Sequence, residues 1–322
     1  MAVLGDGFVA STKFEILKAF ESPLPLPEFL AYHSDSISAI IAPVAAPVTA
    51  DLIRILPNLR LVVTTSAGVD HVDLVECRRR GISVANAGSS FSEDVADTAV
   101  GLLIDVFRRI SAANRFVKQR FWPLKGDYPL GSKVCNITCE KIKLATKMIL
   151  GRKRIGIVGL GSIGSKVATR LDAFGCQISY SSRNRKPYDV PYHYYMDIEE
   201  MAANSDALII CCELNEKTLR LINKDVLSAL GKRGVIVNVA RGAIIDEEEM
   251  VRCLREGEIG GAGLDVFEDE PNVPKELFEL DNVVFSPHSA FMTLEGLEEL
   301  GKVVVGNIEA FFSNKPLLTP VL

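Results

Sequence analysis

Few folds are open to a chain in which a short apolar strand runs straight into a glycine-spaced turn and then a helix. Arg154-Ile-Gly-Ile-Val158 followed by Gly159-Leu-Gly-Ser-Ile-Gly164 is such a junction. In this context the glycines have separable tasks. Gly159 permits the tight turn, Gly161 lets the backbone approach a pyrophosphate, and Gly164 lets helix and strand pack closely. Ser162 and Ile163 open the helix, whose first amides and dipole favour a phosphate. The pattern predicts a strand at 154–158, a helix at 162–174 and a second strand at 177–181. The alternation then continues: helix 196–205, strand 207–212, helix 223–230, strand 235–239, helix 247–256, and strands 261–265 and 283–285. Six strands with helical crossovers predict a parallel dinucleotide-binding sheet.

The first hundred residues alternate more weakly, with strands at 39–41, 61–64 and 83–85 and helices at 50–56 and 72–80, which predicts a smaller α/β domain. Apolar residues recur at helical spacing through 92–120, interrupted only by Gly101, so one long helix is expected to cross between the domains. The helix at 294–312 has no sheet left to complete and is expected to return to the first domain. The predicted class is therefore α/β, with two Rossmann-like doubly wound domains and the cofactor domain inserted into a smaller flavodoxin-like one. The boundaries are placed at 1–112 with 294–322, and at 113–293.

A length of 322 residues supports two cores, and 48% hydrophobic with 24% charged residues excludes a disordered or fibrous chain. A net charge of −5 gives no basic excess for a nucleic-acid backbone. The most apolar stretches, 40–48 and 100–107, are broken by Pro43, Pro47 and Asp105 and fall short of the roughly 20 residues of a spanning helix, so no membrane association is expected. Seven scattered cysteines and an N-terminus without a basic-then-apolar leader point to reduced thiols in the cytosol.

Nicotinamide enzymes with this loop place an acidic residue about 20 residues on, against the ribose hydroxyls. Here the second strand ends in Ser181-Ser182-Arg183-Asn184-Arg185-Lys186, with no carboxylate. A serine hydroxyl and guanidinium groups suit a 2′-phosphate, which argues for NADP(H); a solvated basic turn is the alternative. Three other strands end in chemistry-bearing residues: Asn238-Val-Ala-Arg-Gly242, Leu264-Asp-Val-Phe-Glu-Asp-Glu-Pro271 and Phe285-Ser-Pro-His-Ser-Ala290. Open α/β sheets bind ligands at such ends, so Arg241, Asp265, Glu270 and His288 are expected to converge on one edge. Of the other histidines, His33 and His193 are expected at the surface, and His71 as a structural or rim residue.

These motifs, in this order, resemble the D-isomer-specific 2-hydroxyacid dehydrogenases. Thr65-Ser-Ala-Gly-Val-Asp-His-Val-Asp73 and Glu93-Asp-Val-Ala-Asp-Thr98 extend the resemblance over nearly the whole chain. Within the family, the NADPH-dependent glyoxylate/hydroxypyruvate reductases and the hydroxyphenylpyruvate reductases are most similar. The resemblance implies that Arg241 holds the substrate carboxylate and keto oxygen, that Glu270 partners the histidine and that His288 is the acid/base. It further implies that the amides of Ala67 and Gly68 bind the carboxylate, and that Thr98, Val239 and Asp265 contact the cofactor, Asp265 at the carboxamide. The chemistry fits these residue types: hydride reaching C2 of a 2-oxo acid leaves an alkoxide that an imidazolium can protonate. Arginine's planar fork suits a carboxylate. The implied activity is reduction of small 2-oxo acids without a metal, in a homodimer paired through the cofactor domain. Hydroxyphenylpyruvate as substrate and a non-catalytic nucleotide-sensing scaffold stay open as alternatives.

One segment departs from the family pattern: 134–149 intervenes before the first cofactor strand. Its Cys135 and Cys139 lack a second Cys/His pair nearby, so it is expected to be a surface insertion without zinc or chemistry. The extreme N-terminus also reads as short of a full first strand.

Overall fold

The computed structural model describes residues 14–128, 153–187 and 190–322. The 134–149 insertion and the N-terminal edge lie outside them. The chain divides into two compact units, residues up to Phe91 with Phe291–Leu322, and Ser92–Ala290.

In the first unit β1 (Ala39–Ala42), β2 (Leu61–Thr64) and β3 (Ser83–Ala85) form a parallel sheet in that order. Helices Ala50–Ile55 and Leu74–Arg80 make the crossovers. The second begins at Leu74, two residues later than its apolar pattern, because the Asp73 side chain accepts from the Glu76 amide and caps it. Ile53, Leu56, Val62 and Val84 are at the centre of the core. The helix Leu294–Phe312 belongs to this unit and packs on β2.

The second unit carries β4 (Arg154–Val158), β5 (Gln177–Ser181), β6 (His193–Tyr194), β7 (Ala207–Ile210), β8 (Val235–Asn238), β9 (Gly261–Leu264) and β10 (Val283–Phe285). They are all parallel, in the order β10-β9-β8-β7-β4-β5-β6. The central runs are buried along their whole length, as sheets covered on both faces require. From β4 the chain moves outward to β5 and β6, then returns to β7 and proceeds the other way. The switch in direction therefore falls between β4 and β7, the place where such sheets open a ligand crevice.

Two expectations are corrected. The sheet has seven strands where six are expected: β6 is a two-residue edge strand paired with Ser179 and Tyr180, too short to show a period. The stretch 92–120 is not one helix. It breaks at Arg109, which has a φ of 53°, into Ser92–Arg108 and Ile110–Lys118. The Asp105 carboxylate accepts the Ser111 amide at 2.8 Å and so caps the second helix from within the first. The compact units divide at 91/92 and 290/291, where the sequence suggests domain boundaries at 112/113 and 293/294. Helix Ser92–Arg108 packs on β8, β9 and β10 because β9 is lined with glycine. A Cβ on Gly263 would lie 2.9 Å from Leu102 Cβ, and one on Gly261 would lie 2.8 Å from Val106 Cγ1. At the other end, Phe291 stacks edge-on against Phe91 at 5.2 Å, within the first unit.

Candidate active site

The glycine loop sits at the switch between β4 and β7. Gly159 holds a φ of 97°, and a Cβ there would meet the Cys212 backbone at 2.7 Å. A Cβ on Gly164 would lie 2.1 Å from the Gly159 carbonyl oxygen, so both positions require glycine for packing. Gly161 differs: its missing side chain faces open space, and it and Ser162 are exposed. The loop thus has the shape a pyrophosphate needs, with close backbone approach behind and room in front at a helix N-terminus. Ile163 is half-buried on the first turn. The Ser162 hydroxyl lies 2.7 Å from that of buried Ser92, at the start of the helix that carries half-buried Thr98. Arg170 binds Asp97 at 2.6 Å and Glu93 at 2.7 Å, fastening these two helices side by side. Val239 is buried just beyond β8.

After β5 the Ser182 hydroxyl donates to the Asn184 carbonyl at 2.6 Å and tightens the turn, leaving Arg183, Asn184 and Arg185 exposed. Arg183 pairs loosely with Glu213, at 3.7 Å with both side chains about three-quarters exposed. Such a pair contributes little, so the guanidinium is readily exchanged onto a stronger anion.

Beyond β8, β9 and β10, Glu270 meets His288, with Arg241 close enough for its charge to act on Glu270. His288 Nδ1 lies 2.7 Å from Glu270 Oε2, with both side chains about a third exposed or less. The other Glu270 oxygen accepts the Phe267 amide at 3.0 Å. Burial pushes the Glu270 carboxyl upward. The bonds from His288 and Phe267, with the charges of His288 and Arg241, outweigh that and hold it below its ordinary value of 4.5. Glu270 is thereby kept ionised at neutral pH, facing the imidazole it orients.

Two supports were not legible as site residues. Asn238 is wholly buried at the end of β8; its side chain donates to the Arg241 carbonyl at 2.9 Å and accepts the Ala240 amide at 3.0 Å, shaping the turn that presents Arg241. Its only sequence signal is a polar residue closing an apolar strand. Gly242 seats that turn on the next: a Cβ there would lie 1.9 Å from the Phe267 carbonyl carbon, which only glycine tolerates.

Asp265 follows directly on β9. It is 1% exposed and accepts the amides of Ser289 at 3.0 Å and Ala290 at 3.3 Å, while its carbonyl accepts the His288 amide at 2.7 Å. In this structure it clamps the histidine loop.

Ala67 and Gly68 lie in the first unit, in the loop leaving the carboxyl end of β2, with half-buried His71 just after them. His193 is exposed on β6, whereas His33 stacks against Phe29 and Tyr32 at 4.8 and 4.9 Å instead of standing free on the surface. Among the described residues, no cluster of His, Cys, Asp or Glu is placed to hold a metal, and no helix is long and apolar enough to cross a membrane.

Comparison with known proteins agrees with this geometry. Residues 100–290 match the family described as D-isomer specific 2-hydroxyacid dehydrogenase, NAD binding domain. The glyoxylate/hydroxypyruvate reductase HPR3 of Arabidopsis thaliana is 52% identical over 296 residues, covering 92% of this chain and 86% of its own. The hydroxyphenylpyruvate reductase of Plectranthus scutellarioides is 44% identical, covering 96% and 93%. A solved structure of the NADPH-dependent glyoxylate/hydroxypyruvate reductase from Sinorhizobium meliloti, in complex with NADP and malonate, matches with a TM-score of 0.80 at 36% identity, over 90% of this chain and 85% of that one. With a dinucleotide loop after β4, at the switch of a parallel sheet, and a carboxylate-bound histidine after β10, four strands away, the chain belongs to the D-isomer specific 2-hydroxyacid dehydrogenase family of oxidoreductases.

Proposed function

We propose that this protein reduces small 2-oxo acids with NADPH, taking glyoxylate to glycolate and hydroxypyruvate to D-glycerate. The observation that carries the reading is the 2.7 Å pair of His288 and Glu270, on the same sheet edge as Arg241 and the glycine loop. Gly159, Gly161, Ser162, Ile163 and Gly164 hold the pyrophosphate, and Ser182, Arg183, Asn184 and Arg185 the 2′-phosphate. Thr98, Val239 and Asp265 complete the cofactor contacts. NADPH, when bound, supplies the hydride. Arg241 pairs with the substrate carboxylate and keto oxygen and offsets the charge that develops there. The amides of Ala67 and Gly68 donate to the carboxylate. His288, with Nδ1 turned to Glu270, gives its proton from Nε2 to the C2 oxygen and reverts to neutral imidazole. Glu270 stays ionised and fixes the ring.

The relatives named as glyoxylate/hydroxypyruvate reductases support this substrate class, and the NADP-complexed neighbour supports the cofactor. The hydroxyphenylpyruvate reductase at 44% identity supports a second reading, with the larger 4-hydroxyphenylpyruvate as substrate. The described cysteines, all free thiols, agree with a reducing compartment such as the cytosol. The test is kcat/KM for glyoxylate, hydroxypyruvate and 4-hydroxyphenylpyruvate with NADPH and with NADH. Glyoxylate and hydroxypyruvate with NADPH are expected to lead. Preference for the aromatic acid would establish the second reading, and turnover of none would leave a nucleotide-binding scaffold.

A further inference from the structure

In the first unit, Asn307 is wholly buried within helix Leu294–Phe312. A buried amide is costly unless its bonding positions are satisfied, and here two donors and two acceptor positions are used. Its Nδ2 donates to the Val303 carbonyl at 2.8 Å and to Thr319 Oγ1 at 2.9 Å. Its Oδ1 accepts the amides of Leu318 at 3.0 Å and Thr319 at 3.2 Å. Asn307 therefore holds the C-terminal tail, and the tail reaches further. The Thr319 hydroxyl donates to the Asn86 carbonyl at 2.6 Å, and the Asn86 amide donates to the Thr319 carbonyl at 3.2 Å. The Thr319 methyl fills the side of Gly88 that has no side chain, where a Cβ would lie 2.5 Å from Cγ2. Past it, Pro320 bridges antiparallel to Ala85 and the Val321 amide donates to Val84 at 2.8 Å, so the tail extends the edge of β3.

Asn86 carries the chain of bonds to the loop after β2. Its Nδ2 donates to the Ala67 carbonyl at 2.7 Å. The preceding carbonyl, Ser66, accepts the Thr64 hydroxyl at 2.9 Å and the Ala87 amide at 3.0 Å. Because a trans peptide is planar, fixing a carbonyl fixes the direction of the N–H across the same bond. Anchoring the Ser66 and Ala67 carbonyls therefore sets where the Ala67 and Gly68 amides point. We propose that Asn307, Thr319 and Asn86 are positioning residues, through which the C-terminal tail aims the Ala67 and Gly68 amides at the substrate carboxylate. This rests on the reading above, in which those amides bind that group.

Thr319→Val keeps the shape of the side chain and removes the hydroxyl that joins Asn307 to Asn86. It is expected to raise the KM for glyoxylate, and the competitive inhibition constant of oxalate, by about two- to tenfold, the scale of one hydrogen bond. Its kcat and its NADPH dissociation constant should stay at wild-type values, and Thr319→Ser should restore KM. Asn86→Ala, which cuts the last link at a half-buried position, is expected to give the same split if Thr319→Val folds poorly. Unchanged KM and oxalate inhibition in the folded variants would overturn the inference. So would a parallel fall of kcat, NADPH affinity and Tm, which marks a merely structural role. A wild-type protein that neither turns over glyoxylate nor is inhibited by oxalate would instead overturn the functional reading itself.

Discussion

His288 holds a φ of 51°, a left-handed conformation that costs a non-glycine residue on the order of 1–2 kcal/mol. The loop bears it because Asp265 binds three successive amides there, those of His288, Ser289 and Ala290. His288→Ala is expected to lower kcat by about 10²–10⁴-fold, the usual worth of a general acid, with little change in the NADPH dissociation constant. Near-normal kcat would remove the histidine from the mechanism. Glu270 makes a prediction in pH. Its carboxyl is held below the ordinary value of 4.5 in the fold, so its stabilisation is complete above its unfolded value and is lost as pH falls through the folded one. The Tm advantage of wild type over Glu270→Gln should accordingly shrink on acidification below about pH 4.5. Arg183→Ala should cost NADPH, and not NADH, about ten- to a hundredfold in kcat/KM, the scale of a charge-assisted contact. Equal loss with both cofactors would refute the 2′-phosphate assignment. At this scale the meeting of Glu270 and His288 was legible, because the strand ends of an open sheet gather such side chains on one edge. Asp265 was read as a ligand contact, and its engagement with the loop amides appears only when 286–290 is folded back on it.

Short elements set the spacing of these groups. The Arg241 turn rests on the Phe267–Glu268 backbone with no room for a side chain at Gly242, which sets Arg241 relative to Glu270. Gly242→Ala must move one turn from the other, and a displacement of about 1 Å at such a site can cost on the order of 10²-fold in rate. We expect kcat/KM for glyoxylate to fall on that scale. Gly263→Ala, in contrast, meets Leu102 beneath the sheet. It should lower stability by about 1–3 kcal/mol through overpacking, read as a lower Tm, while KM is held. The strands and most helices were visible in the sequence because buried parallel strands are short unbroken apolar runs. The break at Arg109 was not, because it depends on Asp105 turning its carboxylate to the Ser111 amide.

At the scale of the molecule, each unit closes its own core, and the last helix and tail belong to the first unit although the second unit lies between them in sequence. The helices after Arg108 leave Ile110, Val117, Trp122 and Leu124 more than half exposed. Apolar surface of this kind is what a subunit contact covers. Light scattering in solution is expected to report twice the mass of the 322-residue chain, and Trp122→Glu to shift it toward one. A wild-type monomer would count against the homodimer that the family resemblance implies.

What the sequence determined by itself was local: the apolar runs, the glycine-spaced turn, the absence of an acid after β5, and the residue types at strand ends. Each depends on a few consecutive residues whose propensities agree, so it survives without a tertiary partner. The tertiary structure decided what depends on groups distant in sequence. His288 meets Glu270 across 18 positions, and Thr319 meets Asn86 across 233. Helix Ser92–Arg108 joins the larger unit because two glycines in β9 leave it space. These are matters of which buried polar group finds its partner and which backbone can come close. No periodicity records them, because hydrogen bonds and steric fit are settled only when the elements pack.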